Sequence, residues 1–207
     1  LNLTQDSDSE VSSRAADALG YAFRLVPNKT DAWHDLIMLT QDNNSEVRWR
    51  ALEAIGYAFM QVPDKPKAWQ DLIIFSQDIS SSIIRRRAAD AMGRVFSHVP
   101  DKTQAWHDLL RLTQDEDSEV QWRAAEAIGN AFSHAPDKTD AWQDILKLTS
   151  DEDSEVRLGA IEILGKAFYY IPNKTEAWQD ILKLTQDEDS EVRWRATDDL
   201  GHAFKLV

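Results

Sequence analysis

The chain has no cysteine, so disulfides and thiolate metal sites are excluded, and cysteine usage says nothing of redox compartment. No apolar run approaches the ~20 residues needed to cross a bilayer, and no signal-peptide pattern opens the sequence. Basic residues are outnumbered, 23 against 36 acidic, for a net charge of −13. Nucleic-acid binding through phosphates relies on Lys and Arg displacing counterions, so this balance opposes it and favours basic partners. A Gly-rich phosphate loop, a nucleophile elbow and a zinc motif are all missing. No cofactor is expected, and an enzymatic role has no positive support. The rest of the composition, 43% hydrophobic and 29% charged, is that of a globular chain with ample material for a core. These features point to a soluble, cytoplasmic protein.

What the sequence has in abundance is itself. An Ala-Trp pair recurs at Trp33, Trp69, Trp106, Trp142 and Trp178, at steps of 36, 37, 36 and 36. Glycines at 20, 56, 93, 129, 165 and 201 and prolines at 27, 63, 100, 136 and 172 keep the same rhythm. The extra residue of the longer step falls between Asp78 and Ser82, in a turn. Six units follow, approximately 1–27, 28–63, 64–100, 101–136, 137–172 and 173–207.

Each unit reads as two helices. Thr30 stands where an N-cap is expected, and Ala32, Trp33, Leu36, Ile37 and Thr40 then share one stripe. The turn Gln41-Asp42-Asn43-Asn44 closes this helix, and Ser45 is expected to cap the second, as are Ser9, Ser82, Ser118, Ser154 and Ser190 in their units. Val47, Ala51, Ala54, Ile55, Ala58 and Val62 form its stripe, and Pro63 is expected to stop it. One hairpin cannot bury both faces, so successive units must stack, with the phenylalanines at 23, 59, 96, 132, 168 and 204 filling space between them. The fold expected is all-α, a right-handed α–α superhelix, or solenoid, of antiparallel helical hairpins forming a single array.

The segment Ser-Glu-Val-Arg-Trp-Arg-Ala-Leu-Glu-Ala-Ile-Gly, residues 45 to 56, resembles the second-helix signature of HEAT-like repeats, and residues 118–129, 154–165 and 190–201 repeat it. The resemblance covers essentially the whole chain. It implies protein binding in most cases, with a few relatives that are enzymes or bind nucleic acid, and second helices that line a concave face. Leu1 aligns with Ile37, late in a first helix, and Val207 with Val62, with no initiator Met and no polar capping unit. The chain therefore reads as a piece cut from a longer array. Its apolar ends, Leu1 to Leu3 and His202-Ala203-Phe204, are expected to self-associate end to end.

Near-copies allow comparison within the chain: invariant positions are architectural, and variable exposed ones are where function diverges. Three second-helix columns face away from the core stripe. One runs Ser13, Trp49, Arg86, Trp122, Leu158, Trp194; the next, Asp17, Glu53, Asp90, Glu126, Glu162, Asp198, is acidic throughout; the third runs Tyr21, Tyr57, Arg94, Asn130, Lys166, His202. Trp49, Glu53, Tyr57, Arg86, Asp90, Arg94, Trp122, Glu126, Asn130, Trp194 and Asp198 are the candidate partner-binding residues, since exposed Trp beside charge suits an interface hot spot. The competing reading is internal: Trp49 and Trp122 stacking on Arg86 as cation–π contacts. The basic column Arg14, Arg50, Arg87, Arg123, Arg195, broken at Gly159, is expected to pair with the acidic one.

Three other features are assigned structural roles. The invariant first-helix tryptophans are packing residues. The acidic turns at 115–117, 151–153 and 187–189 supply ligands of the type calcium prefers, but the glycine-containing EF-hand loop is missing, so solvated turns and helix-start charge account for them. His98 and His134 are equivalent positions ~10 Å apart, too far to share an ion, and His34-Asp35 and His107-Asp108 are read as exposed first-helix residues. The leading expectation is a scaffold for a protein or peptide, without a membrane role. The alternatives are a nucleic-acid-binding, glycosylase-like module and a structural spacer in a longer protein.

Overall fold

The computed structural model describes residue 6, the backbone of residues 8–203 and the side chains of residues 8–201. Among these the regular structure is entirely helical. The chain divides into two compact units, Leu1–Asp101 and Lys102–Val207.

In the first unit, α1 (Ser9–Ala22) is followed by two hairpins, α2 (Lys29–Leu39) with α3 (Ser45–Ala58) and α4 (Lys65–Ser76) with α5 (Ser82–Val95). The second unit holds three hairpins: α6 (Lys102–Leu112) with α7 (Ser118–Ala131), α8 (Lys138–Leu148) with α9 (Ser154–Ala167), and α10 (Lys174–Leu184) with α11 (Ser190–Ala203). Second helices pack side by side, α1 on α3 and α3 on α5 in one unit, α7 on α9 and α9 on α11 in the other. Within each unit this is the helical-hairpin solenoid packing that the repeat predicts.

The helix starts differ from expectation by one or two residues. The caps are Asp8, Asn44, Ser81, Asp117 and Asp153, each accepting from a backbone N–H in the first turn, and the serines at 9, 45, 82, 118 and 154 are the first helical residues instead. Asn28, not Thr30, caps α2, and Asp64, Asp137 and Asn173 do the same for α4, α8 and α10. A cap of this kind contributes ~1 kcal/mol. At the other end, α3 stops at Ala58 and tightens into a 3-10 turn over Phe59–Gln61 before Pro63 is reached. The lysines that open the first helices reach back over these turns. Lys138 Nζ donates to the Ala135 carbonyl at 2.8 Å, and Lys174 Nζ to those of Phe168, Tyr169 and Ile171. Desolvation there lowers the pKa of both lysines.

No described residue has a positive φ, so the hairpins turn without any left-handed position. The glycine column instead permits close packing: a Cβ on Gly20 would lie 2.7 Å from that of Ala54, where α1 meets α3. Phe23, Phe59, Phe96, Phe132 and Phe168 are fully buried, each worth ~1.5–3 kcal/mol of transfer free energy. Trp33 stands edge-on to both Phe23 and Phe59, with centroids 6.4 Å away, so the phenylalanines do fill space between successive repeats. The terminal residues expected to self-associate, Leu1 to Leu3 and Phe204 with the His202 and Ala203 side chains, lie outside the described residues.

Candidate functional site

In the first unit, the second-helix face carries two aromatic clusters. Tyr21 and Tyr57 stack with centroids 5.2 Å apart and planes at 27°, and the Arg94 guanidinium lies 5.9 Å from the Tyr57 ring. Desolvation, then the negative charge of Glu53 and the neighbouring Tyr21, raises the Tyr57 pKa against the opposing pull of Arg94. Trp49 has Arg50 at 4.2 Å and Arg87 at 5.1 Å from its ring centroid. These guanidiniums also tie the acidic column down. Arg50 bonds Asp17 of the preceding repeat at 3.0 Å and Glu46 at 3.5 Å, while Arg87 approaches Asp90 at 3.9 Å. Trp49 thus carries internal cation–π contacts of the kind the competing reading expects, and Arg50 and Arg87 make them. Neighbouring helix positions are rotated by ~100°, enough to move a side chain from one column to the next.

In the second unit, Arg123 lies 4.5 Å from the Trp122 ring and bonds Glu126 at 3.1 Å. Glu162 accepts from Lys166 at 2.7 Å and from Arg195 of the following repeat at 2.6 Å. The Lys166 bond, aided by Arg195, holds the Glu162 carboxyl below its ordinary range against desolvation. Trp194 is 63% exposed. Asn130 and Asp198 are exposed on the same columns, and Glu53, Arg86 and Asp90 are half-buried. Beside Trp122 and Trp194 is a pocket of about 180 Å³, with Leu158 and Gly159 in its lining.

In the first unit a larger cavity, about 600 Å³, lies between the first helices α2 and α4, with Trp33, His34, Asp64 and Asp71 in its lining. The corresponding groove between α6 and α8, lined by Trp106, His107, Asp137 and Asp144, is about 250 Å³. Recurrence in the same register marks both as a product of repeat spacing. His34 and His107 are exposed as expected, but Asp35 is half-buried and Asp108 is only 5% exposed, contrary to the reading of both as surface residues.

Two sets of polar residues escape a reading by columns. Trp33 and Trp106 donate their indole N–H to Asp71 at 2.8 Å and Asp144 at 3.0 Å, carboxylates of the next first helix. The signal is the recurrent Trp-x-Asp triplet. Arg48, Arg157 and Arg193 donate to carbonyls of the turn before their own helix, at 2.7–3.1 Å. In the acidic turns, Asp115, Asp151 and Asp187 accept from the amides of Asp117, Asp153 and Asp189 at 2.9 Å, which are turn and helix-start roles. Among the described residues, no group of three or more His, Asp or Glu side chains converges as a metal site requires.

Comparison with known proteins agrees with this architecture. The family described as HEAT repeats matches residues 1–93, and that described as Sister chromatid cohesion protein PDS5 protein matches residues 72–207, about two-thirds of the chain. The chain belongs to the HEAT-like repeat proteins, in the family that the second description names. No curated protein matches it. Among solved structures, an engineered protein is 24% identical with a TM-score of 0.60, over 98% of this chain and 94% of that one. A designed armadillo repeat protein in complex with a peptide, (KR)4, is 19% identical with a TM-score of 0.64, over 98% and 96%. Identities this low speak for the fold alone.

Proposed function

We propose, from membership in the HEAT-like family as the premise, that this chain is a non-catalytic scaffold whose second-helix face holds a protein or peptide of basic character. The observation that carries the reading is Trp194, a large aromatic side chain 63% exposed on a face whose acidic column runs through every repeat. Exposed Trp supplies much contact area at little entropic cost, and carboxylates set the sign of the partner's charge. The Tyr21–Tyr57 stack extends the same chemistry to the first unit. That a designed protein of this fold is found with a Lys-Arg peptide makes such a peptide a sensible first probe. A net charge of −13 disfavours the nucleic-acid alternative.

The test is a fluorescence titration with an octapeptide of alternating Lys and Arg, a Glu-Ala octapeptide and a short duplex DNA. The basic peptide should quench tryptophan emission, salt should weaken the effect, and Trp194→Ala should reduce it without changing the melting temperature. Tighter binding of the duplex, or no response to the basic peptide, would overturn the proposal.

A further inference from the structure

The basic column of the second helices is interrupted at one place, Gly159, and the repeats themselves show what an arginine there would contact. Trp49 is stacked by two guanidiniums, one from its own helix neighbour Arg50 and one from Arg87, which holds Arg50's position in the following repeat. Trp122 has the first of these, Arg123 at 4.5 Å, but the position equivalent to Arg87 is Gly159. The indole packs against Gly159 instead, its Cδ1 3.3 Å from where a Cβ there would stand, closer than side chains ordinarily approach.

The same interruption strands a carboxylate. In the first two repeats the glutamate one turn before the arginine pairs with it, Glu10 with Arg14 at 2.8 Å and Glu46 with Arg50 at 3.5 Å. Glu155 holds that position in α9, its partner would be residue 159, and it has no ion pair among the described residues. Glu155, Gly159 and Trp122 all line the 180 Å³ pocket, together with Trp194, Glu162 and Arg195. Glu191 is there too, so three carboxylates face one guanidinium.

We propose that the pocket beside Gly159 is an arginine subsite, in which a guanidinium from an extended peptide stacks on Trp122, as Arg87 does on Trp49, and pairs with Glu155. The subsite rests on the second-helix face being the interaction surface, and gives that surface a register: an arginine, rather than basic charge in general. The planar guanidinium stacks on an indole and pairs with a carboxylate at the same time, which an ammonium does less well.

The indole N–H resonances of Trp122 and Trp194, assigned through Trp122→Phe and Trp194→Phe, read the site directly. Arginine amide should shift both, glycine amide should shift neither, and lysine amide should bind more weakly. Gly159→Arg should bring its own side chain against Trp122, where a Cβ alone would stand 3.3 Å from the ring, and weaken the arginine-amide response at least ~10-fold, as truncating an interface anchor would. Glu155→Gln changes one exposed side chain, so it tests the site without risk to folding, and should weaken the response about threefold. The assignment is overturned if arginine amide moves neither indole, if Gly159→Arg folds and responds as wild type does, or if lysine amide binds equally well. The Lys-Arg octapeptide separates the two readings. Unchanged affinity for Gly159→Arg would remove the subsite and leave the face as the interaction surface. An arginine-amide response without any octapeptide binding would leave a lone subsite and remove the face.

Discussion

The indole N–H of Trp142 donates to Oδ2 of Asp180 at 3.1 Å, linking α8 to α10 across consecutive repeats with both side chains buried. Trp142 is also edge-on to Phe168, centroids 6.5 Å apart, so the ring is fixed by packing and by a charge-assisted hydrogen bond. Removing the acceptor leaves a buried donor unsatisfied, which costs ~1–3 kcal/mol. Asp180→Ala should therefore lower stability by about that amount, measured by urea unfolding. Asp180→Asn keeps an oxygen acceptor while losing the charge and the Lys183 pair at 3.0 Å, and should cost less. Equal losses for the two variants would mean that packing, not the hydrogen bond, couples the repeats.

The tryptophans of the second helices divide into different roles. Trp49 is half-buried with two guanidiniums over its ring, each contact worth ~0.5–1 kcal/mol at a surface site. Trp49→Ala should cost at least ~1–2 kcal/mol of stability through those contacts. Trp194, 63% exposed, should cost no more than ~0.5 kcal/mol when truncated. Its truncation should instead weaken binding of the Lys-Arg octapeptide about 10-fold or more. Thermal melts and peptide titrations on both variants check the division, and a large stability loss for Trp194→Ala would contradict it.

Much of this organisation is legible in the sequence because repetition multiplies every weak signal. Trp33 recurs in five units and Phe23 in six, which reveals the hairpin and its packing residues before any geometry is known. The helix starts are less legible, since Asn44 and Ser45 are both good cap formers and only the backbone angle of Asn44 decides between them. The stacking of Arg50 and Arg87 on Trp49 is passed over for a similar reason, a rotation of one residue on the helix. The Trp142–Asp180 bond joins positions 38 residues apart, whereas the repeat steps by 36 or 37, so comparing equivalent positions passes over it. Gly159 is visible as a gap in a column, but its consequence for Trp122 depends on the stagger between α7 and α9.

Acid should expose the contribution of Glu162. Its folded pKa is lowered, chiefly by Lys166 and then by Arg195, so the folded state holds this proton less tightly than the unfolded chain. The contribution is fully present above the unfolded value, ~4.3, and is lost as pH falls through the lower folded value. With side chains 39% and 64% exposed in the Glu162–Lys166 pair, solvent screening limits the contribution to ~0.2–1 kcal/mol. Between about pH 6 and pH 3 the wild type should lose that much more stability than Glu162→Gln. Identical pH profiles would show that the pair contributes nothing to folding.

The turn clamp allows a test in which the chain supplies its own control. Arg157, 9% exposed, donates from Nη1 to the carbonyls of Asp151 at 2.8 Å and Glu152 at 3.1 Å. Its other nitrogens approach the carboxylates of Asp187 and Asp189 in the next repeat at 3.9 and 3.8 Å. One side chain thus closes the turn before its own helix and faces the acidic turn of the following one. Hydrogen bonds to charged groups are worth ~1.5–3 kcal/mol, so Arg157→Ala should cost at least ~2 kcal/mol. At the equivalent position in α7 stands Gln121, whose amide donates to the Asp115 carbonyl at 2.6 Å. A neutral amide therefore suffices to close a turn in this fold, and Arg157→Gln should recover about half of the loss, because the turn bond returns while the charge facing Asp187 and Asp189 does not. Urea unfolding of the two variants measures the division. If Arg157→Gln is as unstable as Arg157→Ala, the contribution lies in the charge between repeats and not in the closure of the turn.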